Sequence, residues 1–174
     1  MKVLILNGSP RPNGNTKALV DALKEGAVSK GHEVTEVDVA RLDLHGCLGC
    51  EYCHTKGRGK CVQNDDMQKI YPLLQQADAL VLALPIYYHG FSGQLKCAID
   101  RFYAIGAPGQ LKLRKIAMLL SSGADQVYEA AFYSYHKNFI EYMGLEDAGI
   151  ITAHGSENKS EAKREEARML GASL

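Results

Sequence analysis

Four cysteines lie within one short window of this sequence, and their spacing is the first indication of chemistry. Cys47, Cys50, Cys53 and Cys61 form the pattern Cys-x2-Cys-x2-Cys-x7-Cys in a glycine-rich stretch. Four thiolates are the usual ligand set of a [4Fe–4S] cluster, and close spacing allows one loop to wrap it. Three alternatives stay open at this point. They are a zinc site, which usually takes two separated cysteine pairs, reduced metal-free thiols, and a disulfide, which a reducing compartment disfavours.

A second candidate site follows the first apolar run of the chain. Residues 8–16 read Gly-Ser-Pro-Arg-Pro-Asn-Gly-Asn-Thr and join a predicted strand to a predicted helix, whose N-terminal N–H groups and dipole favour an anion. The loop is not a Walker loop because asparagine stands where that motif needs lysine, and it lacks the Gly-x-Gly-x-x-Gly of dinucleotide sites. It therefore predicts a site for a terminal monophosphate, or else a polar turn that only caps the helix. The side chains that would bind the anion are Ser9, Arg11, Asn13, Asn15 and Thr16.

Two later loops also follow apolar strands, and ligands of doubly wound sheets bind at such strand ends. The aromatic rings of the loop at 85–91 could stack on a planar ligand, or they could pack under the next helix or against another subunit. In the second loop, Ser122 and Gly123 are small enough to let backbone polar groups approach a heterocycle, although an ordinary turn has the same composition. His89 could move a proton, but a backbone hydrogen bond is the commoner role. The candidate residues of the first loop are Pro85, Ile86, Tyr87, Tyr88 and Gly90.

The apolar patterns predict elements that bring these loops to one edge of a sheet. The predicted helices span 16–30, 65–76, 92–104, 127–143 and 158–170, and they alternate with five predicted strands. This alternation predicts an α/β fold with a doubly wound parallel sheet in a single domain, residues 1–174, with a cysteine-rich insertion at about 41–64. The predicted strands are 2–6, 33–39, 78–84, 114–121 and 148–153.

The overall composition excludes several classes of protein. Lys plus Arg and Asp plus Glu both number 20, and this zero net charge argues against a dedicated nucleic-acid binder. No apolar run is long enough to cross a bilayer. The turn at Asn7-Gly8 also comes too early for a signal peptide. We therefore expect no nucleic-acid partner, no membrane association and a cytoplasmic location.

Five sequence motifs occur together, and the later four are Cys-Val-Gln-Asn-Asp-Asp-Met at 61–67, Pro-Ile-Tyr-Tyr at 85–88, Ser-Gly-Gln-Leu-Lys at 92–96 and Asp-Arg at 100–101. With the loop at 8–16, they resemble the flavodoxin-like NAD(P)H-dependent FMN reductase family, and in particular its iron–sulfur flavoprotein branch. The resemblance covers nearly the whole chain. It implies a flavodoxin-like three-layer α/β/α sandwich with strand order 2-1-3-4-5. It also implies bound FMN, with the phosphate on residues 9–16 and the ring against residues 85–90 and 121–123. It further implies that the chain forms a homodimer or homotetramer.

The resemblance leads to two related functions. The first is an FMN-dependent oxidoreductase that takes electrons from NAD(P)H and passes them to a small acceptor, such as a quinone or a flavin. The second is an iron–sulfur flavoprotein, in which a [4Fe–4S] cluster on the four cysteines passes electrons between a protein such as ferredoxin and FMN. Lys56, Arg58 and Lys60 would then offset the charge of the cluster or attract an acidic donor. A non-enzymatic zinc-binding module is a third hypothesis. We expect no catalytic residue in the protein itself because flavin chemistry belongs to the cofactor.

Overall fold

A five-stranded parallel sheet forms the centre of the protein. The structure, a computed structural model, describes residues 1–106 and 111–174. The strand order is β2-β1-β3-β4-β5, and every neighbouring pair is parallel. This confirms the predicted fold class and strand order. The strands are β1 (Lys2–Asn7), β2 (Glu33–Asp38), β3 (Ala79–Pro85), β4 (Lys115–Ser122) and β5 (Glu146–His154).

Helices connect successive strands, as the periodicity predicts. A π-helical segment, His136–Tyr142, continues α4, so the predicted helix at 127–143 consists of two kinds of turn. None of the helices in the described ranges is long and apolar enough to cross a membrane. The helices are α1 (Asn15–Ser29), α2 (Met67–Gln76), α3 (Gly93–Asp100), α4 (Glu129–Tyr135) and α5 (Glu161–Ser173).

Two apolar cores lie on opposite faces of the sheet. Because successive side chains of a strand point to opposite faces, Leu80 and Leu82 of β3 enter one core, and Val81 enters the other. The first core packs under α2, α3 and α4, and the second packs under α1 and α5. Strands β3 and β4 are buried on both faces, which explains why their sequences show no polar alternation.

Helix α5 packs directly on α1, and this contact fixes the loop that follows β5. A Cβ atom on Gly26 would lie 1.9 Å from the carbonyl oxygen of Arg168, and one on Gly171 would lie 2.0 Å from that of Leu23. Only glycine permits this close approach of the two backbones. The predicted start of the last helix at residue 158 is wrong, because Ser160 caps α5 by accepting a hydrogen bond from the Lys163 N–H at 3.3 Å.

The cysteine insertion runs from β2 to α2 along the face of the sheet that carries α2 and α3. Its part from residue 42 to residue 66 contains a single short element, a 3-10 turn at Tyr52–His54. Leu42, Leu44, Cys53 and Cys61 are half-buried and pack against the first core. The segment is therefore an ordered loop attached to the sheet domain by apolar contacts, by an ion pair between Asp65 and Arg101, and by hydrogen bonds of His54 and Glu51 with Tyr103.

Candidate functional site

A cavity of about 440 Å³ lies at the carboxyl ends of β1, β3, β4 and β5. Of the residues predicted to bind the cofactor, all but Asn13, Tyr88 and Gly90 line this cavity. It lies where ligands bind in doubly wound folds, outside the strand ends and next to the reversal of strand order. Its walls are Ser9, Arg11, Asn15, Thr16, Pro85, Ile86, Tyr87, Ser121, Ser122, Gly123, Gly155 and Asn158.

The loop between β1 and α1 is shaped by its own hydrogen bonds. The buried side chain of Asn7 accepts a hydrogen bond from the Ser9 N–H at 3.1 Å, and Ser9 Oγ accepts one from the Arg11 N–H at 3.3 Å. The Gly8 N–H donates to the carbonyl of Ala83 on β3 at 2.8 Å. These bonds hold the loop at the N-terminus of α1, where backbone N–H groups attract an anion.

Two buried hydroxyl contacts tie this loop to distant parts of the chain. Thr16 Oγ1 and Ser121 Oγ lie 2.7 Å apart, which joins the first turn of α1 to the end of β4. Ser92 Oγ donates to the carbonyl of Gly8 at 3.0 Å, which joins the start of α3 to the same loop. The phosphate loop and the wall formed by β4 are thus held in register by side chains far apart in the sequence.

The segment after β3 forms a wall of the cavity and then turns away from it. The Ile86 N–H donates to the Ser121 carbonyl at 2.8 Å and so fixes the wall. Tyr87 and Gly90 exchange backbone hydrogen bonds around Tyr88 and His89, whose φ angles of 47° and 63° are left-handed. Such a turn usually takes Asn-Gly. It directs Tyr88 fully into solvent, so neither Tyr88 nor Gly90 lines the cavity and no role for His89 emerges.

Asn13 also lies outside the cavity, in the exposed part of the first loop. Its carbonyl oxygen accepts a hydrogen bond from Lys159 Nζ at 2.8 Å, which links the phosphate loop to the segment before α5. Asn13 therefore contributes to the position of the loop through its backbone, whereas its exposed side chain faces a neighbouring cavity between α1 and α5.

The turn after β4 is supported by a chain of hydrogen bonds that the sequence pattern did not indicate. Ser122 Oγ lies 2.6 Å from the Tyr128 hydroxyl, which donates to the Ala153 carbonyl at 3.1 Å. Burial raises the pKa of Tyr128, so the phenol stays protonated and able to donate. Asn158 Nδ2 donates to the Ser122 carbonyl at 2.7 Å. Asn158 was missed because the periodicity placed it inside the last helix, whereas the structure places it before α5.

The residues of the cavity fit FMN. One end has the N-terminus of α1, with Ser9, Arg11 and Thr16 as donors for a phosphate. The other end has the apolar side chain of Ile86 beside the small Ser122-Gly123 turn, which suits a flat heterocycle. Asn158 Oδ1 is buried there with no hydrogen-bond partner among the described residues, as expected of an atom that awaits a ligand.

The four cysteines of the insertion do not converge on one point. Cys47 and Cys50 are exposed, Cys53 and Cys61 are half-buried, and all four are free thiols. Burial raises the pKa of Cys53, and the nearby Cys61 and Cys47 raise it further. Among the described residues, no three His, Cys, Asp or Glu side chains are grouped closely enough to hold a metal ion. This arrangement therefore does not fit a [4Fe–4S] cluster or a zinc ion unless the loop closes.

A buried ion pair anchors the insertion. The side chains of Arg101 and Asp65 are 1% and 4% exposed, and Arg101 Nη1 and Nη2 donate to the two oxygens of Asp65 at 2.6 and 3.1 Å. Arg101 Nη1 also donates to the His45 carbonyl at 2.9 Å. His45 precedes the first cysteine and Asp65 follows the last one. The pair therefore joins both ends of the insertion to the end of α3.

The charge state of this anchor follows from its surroundings. Burial by itself would raise the pKa of Asp65, but hydrogen bonds from Arg101 and the His45 N–H outweigh it and lower that pKa. The Tyr71 hydroxyl donates to the Arg101 carbonyl at 3.2 Å, and burial raises the pKa of Tyr71 to about 12. At neutral pH the anchor therefore consists of a charged pair beside a neutral phenol.

Comparison with known proteins identifies relatives of this chain. The family model for NADPH-dependent FMN reductase matches residues 1–145. An iron-sulfur flavoprotein of Archaeoglobus fulgidus is 38% identical over 156 residues, which cover 89% of this chain and 69% of that protein. Iron-sulfur flavoprotein MJ1083 of Methanocaldococcus jannaschii is 36% identical over 126 residues, which cover 72% of this chain and 64% of the relative. About a third of each relative therefore lies outside the match.

Solved structures share the fold at lower identity. An NAD(P)H:quinone oxidoreductase from Methanothermobacter marburgensis superimposes with a TM-score of 0.76 at 20% identity, over 99% of this chain and 92% of the other. An FMN-dependent NADH-azoreductase of Bacillus anthracis, solved in complex with FMN, gives 0.74 at 14% identity, over 99% and 98%. These likenesses concern the fold alone, whereas the family model and the two sequence relatives bear on ancestry. The chain belongs to the NADPH-dependent FMN reductase family.

Proposed function

We propose that the protein is an FMN-dependent oxidoreductase that takes electrons from NAD(P)H and passes them to a small acceptor, such as a quinone or a free flavin. The observation that carries this proposal is the cavity at the carboxyl edge of the sheet. It combines an anion-binding helix N-terminus at one end with a small-residue turn and an apolar wall at the other. Membership of the FMN reductase family supports the same conclusion.

The chain itself would bind and orient the cofactor. When bound, FMN supplies the hydride and electron transfer. Ser9, Arg11 and the first N–H groups of α1 would hold the phosphate, and Ile86 would exclude water from one side of the ring. The exposed ring of Tyr87 at the rim offers a surface on which a planar acceptor can stack.

Reduction of the flavin tests this proposal directly. We expect anaerobic mixing of the FMN-loaded protein with NADPH or NADH to bleach the flavin absorbance, and added quinone to restore it. Arg11→Gln should weaken FMN binding by about 10- to 100-fold, because it removes a charge-assisted hydrogen bond, and should leave riboflavin binding unchanged. Lys30→Gln, at the exposed far end of α1, is the matched control. Absence of bleaching with both nucleotides would refute the proposed donor.

A second candidate function is electron transfer between a protein such as ferredoxin and FMN through a [4Fe–4S] cluster. Two observations favour it, namely the four thiols on one loop and the 36–38% identity to proteins named iron-sulfur flavoproteins. Because the thiols lie apart in this structure, the loop would have to close around the cluster. Anaerobically reconstituted protein should then contain about four irons per chain.

Two cysteine variants make this second test specific. Cys61→Ser should lose the iron, whereas Cys97→Ser, on α3, should keep it. Protein that binds FMN but remains metal-free after reconstitution would contradict the cluster. Bound zinc without flavin binding would support the non-enzymatic module instead.

We also propose that the protein assembles as a homodimer or homotetramer in the cytoplasm. Several large aromatic side chains are exposed on the single chain, among them Tyr88, Tyr133 and Tyr142, and burial of such surface stabilises subunit contacts. Light scattering on the FMN-loaded protein should give two or four chains per particle. A monomer at micromolar concentration would contradict this assembly.

A further inference from the structure

One polar atom in the wall of the cavity has no hydrogen-bond partner within the described part of the protein. Asn158 Oδ1 is buried without a hydrogen-bond partner among the described residues, although the same amide uses its nitrogen. Buried acceptors are almost always paired in folded proteins, because an unpaired one loses its bonds to water and gains none in return. Asn158 lines the proposed flavin cavity, so a ligand there is the natural partner.

The orientation of the Asn158 amide is determined by its neighbour. The carbonyl oxygen of Ser122 can only accept a hydrogen bond, so the donor Nδ2 must face it, at 2.7 Å. Ser122 is itself held through the Tyr128 hydroxyl, which donates to the Ala153 carbonyl. The amide is therefore fixed with its nitrogen toward the β4 turn, and Oδ1 stays as a rigid acceptor.

An acceptor at this place pairs with a donor of FMN, and those donors are the ribityl hydroxyls and the ring N–H. Phosphate oxygens at neutral pH are acceptors and cannot donate to Oδ1. The Asn158 amide is bonded to the carbonyl of Ser122, so it lies at the Ser122-Gly123 turn, which forms the ring end of the cavity. That hydrogen bond, rather than distance from the phosphate loop, places Asn158 beside the ring. The polar edge of the isoalloxazine has one N–H that is present in both redox states, at N3.

We propose that Asn158 Oδ1 accepts a hydrogen bond from the N3–H of the bound isoalloxazine, which makes Asn158 a specificity-determining residue for the cofactor. This inference rests on the proposed FMN site and adds the orientation of the ring within it. Residue 158 lies outside residues 1–145, the part of the chain that the family model matches. Asn158 belongs to the loop between β5 and α5.

The test compares FMN with 3-methyl-FMN, in which a methyl group replaces the N3 hydrogen. Dissociation constants are measured by flavin fluorescence on apoprotein prepared from the full chain. We expect the wild-type protein to bind 3-methyl-FMN at least about tenfold more weakly than FMN, since one neutral hydrogen bond is lost. Asn158→Ala should bind FMN about tenfold more weakly and should bind the two flavins within about twofold of each other, because the acceptor is gone and the methyl group has room.

Two further variants separate a lost contact from a disturbed fold. Asn158→Asp removes the donor to the Ser122 carbonyl and places a carboxylate oxygen against it, so it should bind FMN at least as weakly as Asn158→Ala. Asn64→Ala changes an exposed asparagine and should behave as wild type. Equal binding of both flavins by the wild type, or undiminished discrimination by Asn158→Ala, would overturn the inference while the FMN site stands. Failure of the wild type to bind FMN at all would overturn the proposed function and this inference with it.

Discussion

The walls of the flavin cavity follow the ends of four parallel strands, whereas the cysteine insertion joins β2 to α2 through a loop with one short 3-10 turn. Both segments contain residues that the sequence predicts to bind a cofactor or a metal. In the cavity, hydrogen bonds such as Thr16 to Ser121 and Asn158 to Ser122 connect the strand ends to one another. In the insertion, the ends are bound to the sheet domain by Arg101 and Asp65, while the thiols between them stay apart.

This difference shows how a site depends on the elements beneath it. Buried strands bring their ends to fixed positions, so the fold itself holds the walls of the cavity, and little ordering entropy remains to oppose binding. The insertion is held by Arg101 and Tyr103, but no strand end positions its four thiols. A bound ion would have to draw them together, and the loss of loop entropy in that step opposes ion binding. The flavin cavity and the cysteine insertion therefore differ more in how firmly the fold holds their side chains than in the number of candidate ligands.

Removal of the anchor tests the comparison most strongly. Arg101→Met leaves Asp65 buried without its partner, and we expect the free energy of unfolding to fall by about 3–5 kcal/mol. Urea denaturation measures this loss, and a thiol reagent should react faster with Cys53 and Cys61 in the native protein. Arg58→Met, an exposed arginine of the same insertion, is the control. Unchanged stability and thiol reactivity would mean that the apolar contacts and the hydrogen bonds to Tyr103 suffice to hold the insertion.

Acid should weaken the same anchor. The pKa of Asp65 is lower in the folded protein than in the unfolded chain, so its stabilising contribution is present above about pH 4 and is lost as the pH falls through the folded pKa. We expect the free energy of unfolding of the wild type to decline more steeply below about pH 4 than that of Asp65→Asn. Urea titrations at several pH values compare the two slopes. Parallel slopes would show that Asp65 is not the group responsible.

The hydroxyl contact between Thr16 and Ser121 offers a matching test in the wall of the cavity. Thr16→Val keeps the shape of the side chain but leaves the buried Ser121 hydroxyl without its partner at 2.7 Å. We expect a loss of about 1–3 kcal/mol in stability and weaker FMN binding, without faster reaction of the insertion thiols. Thr35→Val on the edge strand β2 is the matched control. Accelerated thiol reaction in Thr16→Val would show that the two regions are coupled.

A substitution in the turn at residues 88–89 should have a smaller effect on stability, and it should stabilise the protein instead of destabilising it. His89→Gly relieves a left-handed φ of 63° and should stabilise the protein by about 1 kcal/mol. Because His89 does not line the cavity, we expect FMN affinity to stay unchanged. Thermal unfolding and fluorescence titration measure the two quantities. A drop in FMN affinity would assign His89 to the flavin site after all.

The smallest effect is expected for the three cations of the insertion. Their side chains are exposed, so the combined change of Lys56, Arg58 and Lys60 to Gln should alter stability by less than about 0.5 kcal/mol and leave FMN affinity unchanged. If the second candidate function holds, the same variant should accept electrons from reduced ferredoxin more slowly at low salt. Stopped-flow traces at two ionic strengths measure this rate. Identical rates would leave the cations without a role in donor binding.

Much of the fold and part of the site could be predicted from local patterns. The unbroken apolar runs of β3 and β4 indicated strands covered on both faces, and the loop at 8–16 indicated an anion site, because both signals depend only on neighbouring residues. Tyr88 was predicted to bind the cofactor, but the structure places it outside the cavity, since no pattern showed that the chain reverses at residues 88–89. Asn7 and Asn158 were missed, because their contacts depend on loop geometry and on where α5 begins.

The sequence by itself determined the alternation of strands and helices, the phosphate loop and the four-cysteine spacing, because side-chain periodicity and turn chemistry act over a few residues. Which polar groups come into contact depends on how the whole chain folds. Arg101 reaches Asp65 across 36 positions, and Asn158 reaches Ser122 across another 36. Such contacts arise when helices pack on the sheet and strands align in register. No local pattern encodes them, and they separate a preformed cavity from a loop whose thiols stay apart.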